Sequence, residues 1–204
     1  MKIGVLGGTF DPIHNGHLAI AEEARARLNL AQVLFVPAGR PRLRKTDPVA
    51  ATEQRVQMVR LALADKPYFK ISTIEVERAG HSHMVDTITE LRKQFGSKVE
   101  FFLILGWDSL VELPRWIGPF RLIKMCRLVA VPRPGYNQPD LQALETEIPG
   151  LSQRVILLDE PRLDISATEI RNRVARGMSI THLVPVLVDE YIKQHKLYKN
   201  KEEV

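Results

Sequence analysis

The chain holds a single cysteine, Cys126, among its 204 residues. That excludes an intrachain disulfide and a thiolate-rich metal site, and it fits a reducing compartment, with the cytoplasm as the simplest expectation. No uninterrupted apolar run approaches the roughly 20 residues of a membrane span, and the short stretch Ile3 to Leu6 runs straight into glycines. A soluble chain without a secretory signal or membrane contact is expected. Long polar tracts and internal repeats are also missing, so disorder is disfavoured outside a flexible tail expected over 199–204. Aromatics are sparse at 6%, and none interleaves the densest basic group, Arg40, Arg42, Arg44 and Lys45. A net charge of +5 spread along the chain, with no stacking platform, argues against nucleic acid and for a small anionic ligand.

What is present suffices for one sizeable core, since 45% of the residues are hydrophobic. Apolar runs of strand length alternate with helical stretches: Ile3 to Leu6, Val33 to Val36, Ile71 to Val76, Val99 to Leu105, Arg127 to Val131 and Val155 to Leu158. This alternation predicts an α/β fold, a single Rossmann-like domain over 1–198. Its sheet should be open and mostly parallel, with helices on both faces and a small C-terminal helical part. Val56, Val59 and Leu63 mark one helix face on the sheet, and Ile88, Leu91 and Phe95 another. Near the C-terminus, Ser166 and Glu169 have capping-box spacing, Gly177 supplies a stop, and Pro185 suits the first turn of a last helix through His195.

The most informative stretch joins the first strand to the first helix: Gly7-Gly8-Thr9-Phe10-Asp11-Pro12-Ile13-His14-Asn15-Gly16-His17. Gly7 and Gly8 allow a sharp turn and close approach to a phosphate, while a helix beginning near Asn15 offers free N–H groups and the positive end of its dipole. His14 and His17, three apart, share one side of the helix start and can converge on one anion as two imidazole donors. Gly16 between them carries no side chain to keep a nucleotide away. No H-E-x-x-H glutamate and no nearby cysteine accompany them, which argues against zinc.

Gly7 to His17 resembles the nucleotide-binding signature of bacterial nicotinate-nucleotide adenylyltransferases, members of the nucleotidyltransferase superfamily that shares an H-x-G-H motif with class I aminoacyl-tRNA synthetases. Ile165-Ser166-Ala167-Thr168-Glu169-Ile170-Arg171 is similar to the second signature of that family. The likeness runs from about Ile3 to Tyr198. It implies adenylyl transfer from ATP to nicotinate mononucleotide in NAD biosynthesis, with Mg²⁺ held mainly by the ATP phosphates and no protein metal ligand. His14, His17, Arg44, Lys45 and Arg171 are then expected to carry catalysis. Gly7, Gly8, Thr9, Phe10, Gly16, Gly106, Asp108, Ile165 and Ser166 are expected to bind ATP. Asp11, Met84, Val85, Thr87, Trp116 and Arg133 are expected to bind the mononucleotide.

Physical chemistry gives several of these expectations content. Ser166 at a helix start and Arg171 five residues on suit a clamp on the leaving pyrophosphate. Asp108 suits ribose hydroxyls, and the Trp116 ring suits a flat pyridine. Arg133 is placed to meet the mononucleotide phosphate. Met84 to Thr87 precede a helix and offer backbone N–H groups to a carboxylate, which favours nicotinate over nicotinamide. Two departures from the family pattern are visible. The basic loop reads Pro41-Arg42-Leu43-Arg44-Lys45, so the duty of a family histidine passes to Arg44 or Lys45; and Ser82-His83-Met84-Val85 replaces a Ser-Tyr-Thr run. Lys124-Met125-Cys126-Arg127 only loosely resembles the synthetases' K-M-S-K-S loop and is read as structural. Rival readings are a nicotinamide mononucleotide, pantetheine-phosphate or cytidylyl-transferring enzyme, and a nucleotide-binding regulator without turnover.

Overall fold

The computed structural model describes residues 1–39 and 49–199. The basic-loop residues Arg44 and Lys45, and the tail beyond Lys199, lie outside the described residues. Six strands form one sheet in the order β3-β2-β1-β4-β5-β6. They are β1 (Lys2–Gly8), β2 (Gln32–Pro37), β3 (Phe69–Ile71), β4 (Glu100–Gly106), β5 (Arg127–Val131) and β6 (Val155–Leu157). Every pairing is parallel, with Leu6 opposite both Phe35 and Ile104, and Gly106 opposite Val131. Parallel neighbours need crossover connections, and those crossovers carry the helices.

The helices are α1 (Asn15–Leu28), α2 (Thr52–Ala62), α3 (Ile74–Glu77), α4 (Met84–Phe95), α5 (Trp107–Val111), α6 (Pro119–Met125), α7 (Leu141–Glu147), α8 (Ala167–Ala175) and α9 (Val186–Gln194). Alternation along each strand sorts them into two layers. Leu6, Val33, Phe35, Phe102, Ile104 and Val129 face one core with Ala21, Met58, Ile170 and Val188, which come from α1, α2, α8 and α9. Ile3, Val5, Leu34, Phe101, Leu103 and Leu128 face the other core with Ile88, Leu110, Leu122 and Leu144, which come from α4 to α7.

One strand expectation is corrected. Ile71 to Val76 has the β-branched look of a strand, yet β3 stops at Ile71 and the chain turns into α3, where Thr73 O accepts from the N–H groups of Val76 and Glu77. Glu75 is buried, and its carboxylate accepts a hydrogen bond from the Thr87 hydroxyl at 2.6 Å. The turn delivers that carboxylate to its donor. The synthetase-like stretch is structural: α6 ends at Met125, Cys126 is buried, and β5 begins at Arg127. Near the C-terminus, Ser166 caps α8 by accepting from Glu169 N–H at 3.2 Å, and Pro185 is the residue before α9.

Candidate active site

Strand order reverses at β1, whose neighbours β2 and β4 lead away in opposite directions, so a crevice opens past the C-terminal ends of β1 and β4. The signature Gly7 to His17 runs from the end of β1 through a turn into the start of α1 at this point. His14 precedes α1 in an extended conformation, and α1 is tied down from the far end of the chain. Asn15 N–H donates to Leu183 O at 2.9 Å, and Asn15 Nδ2 donates to His182 O at 3.1 Å.

The imidazoles of His14 and His17 stack with centroids 3.7 Å apart, and the Phe10 ring meets His17 edge-on at 5.0 Å. His14 main-chain N–H donates to His17 Nδ1 at 3.2 Å, so the neutral His17 ring carries its own proton on Nε2. Burial, with the nearby Arg133 cation second, pushes the His14 pKa down from 6.5 to about 4. His14 therefore offers a neutral N–H donor rather than a positive charge. His14 Nδ1 is buried without a described hydrogen-bond partner.

Gly16 also packs against the protein. A Cβ there would lie 3.0 Å from His14 Nδ1, so the glycine leaves room for the His14 ring, and Ile165 of the second signature lies within contact distance of the same point. Gly7 likewise touches a neighbour, because a Cβ there would lie 2.5 Å from the Met84 side-chain tip. The two signatures meet directly: Arg171 Nη1 donates to Asp11 O at 2.7 Å, and Nη2 to Thr168 Oγ1 at 3.3 Å. Ser166 stays exposed, with its hydroxyl oxygen used as the α8 cap and its proton available for donation.

On the other side of the crevice, Arg133 Nη1 pairs with Asp108 Oδ2 at 3.0 Å. Asp108 Oδ1 is buried with no described partner and folds back over Gly106. Two residues expected separately at ribose and mononucleotide phosphate are thus joined, and Arg133 also acts on His14. Trp116 is half-buried, following the short turn Leu113–Arg115 and packing against the second core.

Two residues expected at the mononucleotide have side chains bonded within the protein. The Asp11 carboxylate is buried and taken by protein donors: Val49 N–H at 2.8 Å, Ala50 N–H at 3.2 Å and the Tyr198 hydroxyl at 2.8 Å. Thr87 is fully buried, with its hydroxyl donating to Glu75 and accepting from Arg78 Nη1 at 3.3 Å. Met84 to Thr87 also form the first turn of α4 rather than preceding it. Asp86 and Thr87 N–H groups return to His83 O. His83 gives no side-chain cap, and so Met84 and Val85 supply the helix-start N–H groups that an acceptor can meet. Val85 itself is buried against Gly118.

Arg55 is the functional neighbour that the sequence reading missed. It is almost wholly buried, and Nη1 donates to Thr9 O at 2.7 Å and Ala38 O at 2.9 Å, fastening the signature turn to the end of β2. A signal existed, because Arg55 is in helical phase with the buried Met58, Val59 and Ala62. A second missed residue is Tyr198, which lies 187 residues from the Asp11 carboxylate it bonds.

Residues 5–173 match the family model described as cytidylyltransferase-like. A probable nicotinate-nucleotide adenylyltransferase of Dehalococcoides mccartyi (strain CBDB1) is 46% identical over 201 residues, with 98% of each chain covered. One from Roseiflexus sp. (strain RS-1) is 48% identical over 197 residues, with 97% of this chain and 98% of the relative covered. Among solved structures, the Plasmodium falciparum nicotinic acid mononucleotide adenylyltransferase complexed with NaAD superposes with a TM-score of 0.77 over 97% of each chain. At 19% identity that likeness shows the shared fold.

Proposed function

Because the chain belongs to the cytidylyltransferase-like family, and within it to the nicotinate-nucleotide adenylyltransferases, we infer that it transfers AMP from ATP to nicotinate mononucleotide, giving deamido-NAD and pyrophosphate. The observation that carries the residue roles is a convergence. Stacked His14 and His17, the second-signature Arg171, and the Asp108–Arg133 pair border one crevice at the reversal of strand order. We read residues 1–198 as one nucleotidyltransferase unit, a reading supported by the bond from Tyr198 back to Asp11.

The 5′-phosphate of the mononucleotide attacks the α-phosphorus of ATP. A new P–O bond forms as the bond to the β-phosphate oxygen breaks, and pyrophosphate leaves with the electron pair. The nucleophile is already an anion at neutral pH, so no side chain has to remove a proton. What the protein supplies is alignment of two anions and donors preorganised for the transition state. His17 donates through Nε2 and His14 through a neutral N–H to the α-phosphate region. Ser166 and Arg171 serve the departing phosphates, a duty the sequence also assigns to Arg44 and Lys45. Asp108 Oδ1, buried and unpartnered, suits a ribose hydroxyl. Arg133 serves the mononucleotide phosphate, Trp116 the pyridine ring, and the Met84 and Val85 N–H groups the nicotinate carboxylate.

Nucleotidyltransferases of this kind generally use a divalent metal. Among the described residues no three His, Cys, Asp or Glu side chains gather to hold one, and Asp11 is occupied by protein donors. We assign Mg²⁺ mainly to the ATP phosphates, where it would neutralise charge. No described helix is long and apolar enough to cross a membrane, and the lone thiol is buried, which suits the cytoplasm. The test is pyrophosphate release with ATP, Mg²⁺ and either nicotinate or nicotinamide mononucleotide. A higher kcat/KM for nicotinate is expected; equal values or preference for the amide would overturn the substrate assignment, and nucleotide binding without release would identify a regulator.

A further inference from the structure

The C-terminal end of the described chain reaches back into the active site through Tyr198, which belongs to neither signature. Its backbone sits at φ 63°, two residues after Lys196 at φ 52°, in the left-handed region that side-chain-bearing residues rarely adopt. Such conformations persist where surrounding structure enforces them, and they cluster at functional sites. Here they turn the phenol inward, so that its hydroxyl donates to Asp11 Oδ1 at 2.8 Å in a buried position. Burial first, and the Asp11 charge second, raise the Tyr198 pKa, so the donor stays protonated across the working pH range.

Asp11 is where four segments join. Its carboxylate accepts from Val49, Ala50 and Tyr198, and its main-chain oxygen accepts from Arg171. Anchoring the chain end would need no hydroxyl, because neighbouring Leu197 is buried and apolar. The phenol adds direction, holding the peptide on which the Arg171 guanidinium rests. We propose that Tyr198 is a positioning residue for adenylyl transfer, fixing Asp11 so that Arg171 is aimed at the ATP phosphates.

This rests on the reaction assigned above, and its test separates the two. Tyr198→Phe removes only the hydroxyl. ATP affinity by calorimetry without acceptor, and kcat/KM for pyrophosphate release, are measured for the wild type, Tyr198→Phe, Arg171→Ala and the double variant. Tyr198→Phe should weaken ATP binding and lower kcat/KM, each on the order of 10-fold, beside the moderate fall in Tm that losing a buried donor to Asp11 brings. The double variant should be no worse than Arg171→Ala, because both changes remove the same aim. Wild-type binding and turnover with a lowered Tm, or independent losses that add, would overturn the proposal. Should Tyr198→Phe not fold, Asp11→Asn enters the same cycle: its amide NH2 meets a protein donor, so Tm falls further, but ATP binding should again weaken and the loss should again not add to that of Arg171→Ala. A wild-type chain that binds ATP yet releases no pyrophosphate with nicotinate mononucleotide would refute the reaction, while the ATP-binding cycle still decides the role of Tyr198.

Discussion

His14 makes a quantitative prediction about acid stability. Its imidazole sits at the turn before α1, stacked on His17, and burial plus the Arg133 cation hold its folded pKa at about 4 against an ordinary 6.5. Between those values the unfolded chain binds a proton that the folded chain refuses, so stability must rise with pH across this window. The contribution is fully present above pH 6.5 and is lost as pH falls toward 4. Between pH 7.5 and pH 4.5 it amounts to roughly 2 to 3 kcal/mol, and it saturates at roughly 3 to 4 kcal/mol in stronger acid. His14→Asn removes the titration. Urea unfolding of both proteins at the two pH values isolates the effect, because groups that also shift, such as Glu75 with its raised pKa, cancel in the difference. The wild type should lose roughly 2 to 3 kcal/mol more than the variant on acidification. Equal losses in the two proteins, or an NMR titration of the His14 ring near pH 6.5, would refute the reasoning.

His17→Ala should lower kcat by about 100-fold or more while leaving Tm close to wild type, because it removes one preorganised donor; near-normal turnover with a reduced Tm would make His17 structural. Arg55→Leu strands two buried carbonyls, Thr9 O and Ala38 O, and should destabilise the fold by at least about 2 kcal/mol in urea unfolding. Thr87→Val keeps the shape but removes the buried donor to Glu75, so about 1 to 3 kcal/mol of stability should go. The KM for the mononucleotide should hardly move in that variant, and a large rise would restore Thr87 as a ligand contact.

Local pattern carried the fold a long way. Apolar runs and helical spacing located β1, β2, β4, β5 and β6 and the buried faces of α2 and α4, because burial imposes a period that neighbouring residues record. The signature Gly7 to His17 fixed a strand-turn-helix at the crevice for the same reason: its glycines, its helix start and its two imidazoles are all within one turn of chain. Ile71 to Val76 marks the limit, since β-branching there says strand while the buried partner of Glu75 says turn. The same limit explains Asp11 and Thr87, polar residues whose partners the local sequence does not reveal: donors to Asp11 arrive from residues 49, 50 and 198, and the acceptor for Thr87 from residue 75. Whether a carboxylate faces a substrate or the protein is decided by which distant groups fold against it. The sequence by itself determined the alternation, the two signatures and the family they belong to. Tertiary structure alone decided that His14 is neutral and that Asp108 pairs with Arg133. It also brought Arg55 and Tyr198 to the signature turn, because hydrogen bonds and desolvation depend on neighbours in space, which spacing along the chain does not record.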